Sequence, residues 1–116
     1  MSTFTKASEE YTHRSQSWIF NGVYRNNSGM YEVEVRKNAY ADQSWAKVSV
    51  WGRDGWNLFV ELPVEEWYDD LPSYTKSTLS RDDKVFFEDV RRRLLQKLAL
   101  AMWNATEDVT LTGEAA

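Results

Sequence analysis

The stretch that most limits how this chain can fold is Ser44 to Leu62, SWAKVSVWGRDGWNLFVEL, where two alternating apolar runs flank Gly52-Arg53-Asp54-Gly55. Such runs on either side of an Asp-Gly turn mark a β-hairpin. A type I turn over Gly52 to Gly55, with Gly55 left-handed, pairs Val50 with Leu58, Val48 with Val60 and Ala46 with Leu62. One side of the hairpin is then continuously apolar. A two-residue turn at Arg53-Asp54 instead sets Val50 against Asn57 and Val48 against Phe59, which splits the apolar set, so periodicity selects the first register. Its other side pairs Trp51 with Asn57, Ser49 with Phe59 and Lys47 with Glu61, with Trp45 at the far end. Trp45, Trp51 and Phe59 therefore fall on the face that looks less like core.

Two strands precede the hairpin. Ser17 to Arg25 is rich in β-branched and aromatic residues and ends at the turn signal Asn26-Asn27-Ser28-Gly29. Gly22 within it marks a bulge or a close approach. Met30 to Lys37 alternates cleanly, Tyr31, Val33 and Val35 against Glu32, Glu34 and Arg36. Short connections make the four strands an antiparallel meander, because parallel neighbours need crossovers of about a dozen residues or more. Met1 to Gln16 has only Phe4 and Tyr11 as anchors and reads as a flexible arm, with His13 an exposed residue of that arm.

Pro63 stops the ladder, and Val64 to Leu71 reads as a short helical turn packed on the sheet through Trp67 and Tyr68. Its acids Glu65, Glu66, Asp69 and Asp70 match no metal-binding spacing and read as a solvated surface. Arg81 to Asn104 is the one long helix, with Ser80 as N-cap and Asp83 in capping-box position. Phe87, Val90, Leu94, Leu98 and Ala101 form its stripe, flanked by Phe86, Leu95 and Met102, while Val85 and Trp103 fall nearly opposite. That apolar coverage, about half of the circumference, serves either deep burial or a homodimer contact through the helix. Arg91-Arg92-Arg93 fans over about 200° and reads as a solvated face. The fold class is thus α+β: a four-stranded antiparallel meander, a short helical turn and a long C-terminal helix on the sheet. Residues 17–105 form one domain between an arm at 1–16 and a loose tail at 106–116. The expected dry face includes Val33, Val35, Val48, Val50, Leu58, Val60, Leu62, Phe87, Val90, Leu94 and Leu98.

Composition narrows the function. With no cysteine among 116 residues there is no disulfide, thiolate metal site or cysteine nucleophile. The polar start carries neither a secretory signal nor a membrane span, so the expected location is cytoplasmic. The sequences at Asn26 and Asn104 that match glycosylation acceptors are then chance matches. Net charge is -4, yet residues 1–63 carry seven charges of each sign, so no strongly basic nucleic-acid footprint is present. No phosphate loop, nucleophile elbow or zinc-protease motif occurs, and the acids on the strands read as hydrated rather than catalytic. The expectation is a small non-catalytic module without cofactor or metal, suited to a phage or bacterial accessory protein. Its protein partner would meet the anchors Trp45, Trp51 and Phe59, with Lys47, Arg53 and Glu61 around them. The alternative is single-stranded nucleic acid stacked on the same aromatics, with Arg36, Lys47 and Arg53 meeting phosphates.

Overall fold

The computed structural model describes residues 4–69 and 75–115, with the backbone alone for 105–115. Five antiparallel strands lie side by side in chain order: β1 (Thr5–Arg14), β2 (Ser17–Asn26), β3 (Gly29–Asn38), β4 (Trp45–Gly52) and β5 (Gly55–Leu62). A single long helix, α1 (Arg81–Ala115), covers one face. The class is the expected α+β meander with a C-terminal helix, but with five strands in place of four. Residues 70–74, which include the end of the expected acidic turn, lie outside the described residues.

The additional strand is β1, which replaces the expected arm over Thr5–Arg14. It is an edge strand, paired only to β2, and its outward residues Glu10, Thr12 and Arg14 are exposed. Few apolar residues are therefore needed to hold it. Tyr11 supplies the main anchor, its ring 5.2 Å from Phe20 and 5.7 Å from Phe87. At the other end of the chain, helical backbone continues to Ala115, through the segment expected as a tail.

The core lies between sheet and helix. Phe20, Tyr24, Tyr31, Val33, Val35, Ala46 and Val48 meet Phe87, Val90, Leu94 and Leu98 there, and all are buried. Val50 and Val60 are half-buried against this cluster, whereas Leu58 leaves it altogether. Gly22 marks a close approach rather than a bulge in the pairing to β3: a Cβ there would stand 2.8 Å from the ring of Tyr24. The helix begins as the residues require. Ser80 N–H donates to Asp83 Oδ2 at 3.0 Å and Asp83 N–H to Ser80 Oγ at 3.1 Å, a reciprocal cap for two otherwise orphaned donors.

After β5, a 3₁₀ turn (Val64–Glu66) folds the chain back over the end of the sheet. Trp67 is fully buried, and the Tyr68 hydroxyl donates to the carbonyls of Asn38 and Ala39 at 2.9 and 2.8 Å. Lys37, on the helix-facing side of β3, is fully buried and its ammonium donates to the Tyr68 carbonyl. It also lies 3.4 Å from the centre of the Tyr68 ring. This cation–π contact, with the hydroxyl bonds, pins the segment to β3.

A polar cluster ties the edge strand to the helix. Glu9 accepts from the Tyr24 hydroxyl and from Arg91 Nη1 at 2.8 Å, and its other oxygen faces Lys6 Nζ at 3.5 Å. Partial burial pushes the Glu9 carboxyl upward, but the bonds from Tyr24 and Arg91 and the charges of Arg91 and Lys6 outweigh it and hold the group below its ordinary value of 4.5. A depressed carboxyl stabilises the fold above its ordinary pKa and loses that contribution as pH falls through the folded value. Glu9→Gln should therefore cost on the order of 1–3 kcal/mol at neutral pH in denaturant unfolding. The gap to the parent should close in acid below the ordinary pKa.

Candidate functional site

The face of the sheet turned away from α1 carries no covering element among the described residues. Its rows follow from the pairing: Ile19–Arg36–Trp45, then Asn21–Glu34–Lys47–Glu61, then Val23–Glu32–Ser49–Leu58, then Trp51–Trp56 beside the hairpin turn. Near the turn the β4–β5 register differs from the expected one. Gly52 pairs with Gly55, Trp51 with Trp56, Val50 with Asn57 and Ser49 with Leu58, which is the two-residue arrangement around Arg53-Asp54. Farther from the turn, Val48–Val60, Lys47–Glu61 and Ala46–Leu62 pair as expected. A bulge between the two halves absorbs the difference, and Phe59 is the extra residue. Gly55 nevertheless takes the expected left-handed conformation, with a φ of 97°.

This shift decides what the outer face displays. One extra residue reverses the facing of everything on its turn side, so Leu58 goes outward while Val60 and Leu62 stay inward. Trp51, Leu58 and Phe59 are 54%, 60% and 43% exposed. Trp56 is half-buried against Trp51, their ring centres 5.3 Å apart in an edge-to-face arrangement. Four apolar residues thus share the turn end of the hairpin, with Arg53 and Asp54 exposed at its tip.

Trp45 belongs to a different environment. Its Nε1–H donates to Glu34 Oε1, the same oxygen that Lys47 Nζ faces at 3.9 Å. Arg36 and Lys47 both lie over its ring, 5.0 and 5.2 Å from the centre. Six residues of strand separate it from Trp51, about 20 Å at 3.3 Å per residue. The structure therefore gathers Trp51, Arg53 and Phe59 at the turn end and leaves Trp45, Lys47 and Glu61 at the other, where Trp45 and Lys47 are engaged with Glu34 and Trp45 with Arg36. Trp56, Leu58, Arg36 and Glu34 complete these two groups without having been expected in a protein contact. The signal for Trp56 was present in the sequence: Trp51 and Trp56 are symmetric about Arg53-Asp54.

Outer-face charges balance. Arg14, Arg25, Arg36 and Lys47 stand against Glu10, Glu32, Glu34 and Glu61. No group of acidic, histidine or cysteine side chains that could hold a metal ion occurs among the described residues, and no helix there is long and apolar enough to cross a membrane. Comparison with known proteins identifies no relative: no family model, curated protein or solved structure matches the chain.

Two indoles at this separation couple their electronic transitions, which gives a paired positive and negative band in far-ultraviolet circular dichroism. Trp51→Phe or Trp56→Phe should each remove the couplet from a folded protein, and Trp45→Phe should leave it. A couplet unaffected by the first two would mean that the rings do not meet.

Proposed function

We propose that the chain is a non-catalytic protein-binding module, of inhibitor or adaptor type, whose contact surface is the turn end of the β4–β5 hairpin. The observation that carries this reading is the exposure of Trp51, Leu58 and Phe59 together at the turn end of one hairpin, where Trp51 packs edge-to-face on Trp56. Exposed aromatic and aliphatic side chains grouped on a strand-based platform are the usual material of an interface centre, where burial by a partner yields most of the binding energy. Arg53 adds a donor at the rim, and the mixed charges of the remaining face supply polar surroundings.

The same face favours protein over nucleic acid. Trp45 already has two cations over its ring, and Lys47 is shared with Glu34, so neither is a free stacking platform or a free phosphate contact. Four carboxylates interleaved with four cations give no positive groove for a phosphate backbone to follow.

Photocrosslinking tests the reading directly. With benzoylphenylalanine at Trp51 or Leu58, irradiation of cells that express the chain should join it to one dominant protein. The same group at Val85, exposed on the helix, should give no such product. The proposal fails if the hairpin positions give no protein adduct while short single-stranded DNA quenches the tryptophan fluorescence in a way that Trp51→Ala abolishes.

A further inference from the structure

The other side of the molecule holds a second feature, independent of the hairpin. A cavity of about 480 Å³ opens where β1 and β2 meet α1. It is open to solvent along much of its extent, so a bound molecule would keep part of its surface exposed. Phe4, Leu95, Ala99 and the ring of Tyr24 form apolar walls, and Lys6, Arg91 and Arg92 bring three cations to the same opening.

We propose that this cavity binds an anionic amphiphile, a monocarboxylate on an apolar body, with the carboxylate held by Lys6 and Arg92 and the apolar part against Phe4, Leu95 and Ala99. Charge decides the sign of the ligand. Lys6 and Arg91 share the single carboxylate of Glu9, and Arg92 and Arg93 share that of Asp89. Of the residues that line the opening three are cations and none is a carboxylate, on a chain whose net charge is -4. The side chains assigned to the ligand are free to turn. Lys6 is 60% and Arg92 58% exposed, and ion pairs of this kind hold their partners weakly enough to be redirected. Arg91, fixed by Glu9, stays as the floor. The run Arg91-Arg92-Arg93 is then more than a solvated face: its first member is tied to β1 and its second stands at the cavity.

The test is a two-dimensional ¹H–¹⁵N NMR titration of the full chain with decanoate, kept below its micelle-forming concentration, and with decanol. Saturable shifts are expected at the amides around Lys6, Tyr24 and Leu95. Decanol should bind about tenfold or more weakly than decanoate, since it lacks the charge that the cations recognise. The double variant Lys6→Glu, Arg92→Glu should lose decanoate affinity by about tenfold or more while keeping a folded spectrum, both sites being exposed. Equal affinity for the acid and the alcohol in the parent protein would overturn the proposal. So would shifts confined to Trp51, Trp56 and Leu58, or unchanged decanoate binding by the folded double variant.

Discussion

A single extra residue in β5 is the constraint on which the character of this molecule depends. Side chains on a strand alternate with a period of two, so a register shifted by one exchanges every residue between faces. The two-residue turn at Arg53-Asp54 starts β5 in the register that puts Asn57, not Leu58, opposite Val50. Continued without interruption, that register would turn Val60 and Leu62 out of the core. The bulge at Phe59 restores them to the helix side and leaves Leu58 outside with the two tryptophans. Core and exposed patch are thus two results of one backbone irregularity.

Among the described residues the sheet has two unpaired edges, and they differ in kind. β1 carries Lys6, Glu9, Glu10 and Arg14 and has its own irregularity between Lys6 and Ser8. Charges and bulges are the devices by which edge strands resist pairing with other chains. β5 has one charge within Gly55–Leu62, Glu61, and relies on its bulge and on Pro63 immediately after it. The apolar patch lies beside the less protected edge, and the cationic cavity beside the more charged one. The helix anchors both, since the stripe through Phe87, Leu94 and Leu98 fixes the sheet under it while Arg91 holds β1 through Glu9.

Much of this arrangement is readable from residues whose local chemistry and global role agree. The alternation of Met30 to Lys37, the turn at Asn26 to Gly29 and the reciprocal cap of Ser80 and Asp83 belong to this group. β1 is hidden because an edge strand with one exposed face needs little apolar pattern. Its turn also lacks the usual signal: Ser15 takes a φ of 52° without being glycine or asparagine, at a cost of roughly 1–2 kcal/mol. The bulge is hidden for a different reason. Periodicity favours the register that buries the most apolar residues, whereas the turn selects the tighter loop, and the conflict is resolved inside the strand. The expectation that Leu58 belongs to the core failed there, as did the grouping of Trp45 with Trp51. Whether α1 also contacts a second copy is a matter of which side chains remain outside. Val85, Leu100 and Trp103 are exposed, whereas Phe86, Leu95 and Met102 lie against the core.

Because the chain contains no cysteine, the bulged register can be tested by single-cysteine labelling. Leu58→Cys and Leu62→Cys would be treated separately with a thiol reagent under native conditions, each referred to its own rate in denaturant. With Phe59 bulged, the cysteine at position 58 should react at close to its unfolded rate, and that at 62 should be slowed on the order of a hundredfold or more. Comparable strong protection at both positions would put Leu58 in the core, restore the unbulged hairpin and remove the exposed patch on which the functional reading rests.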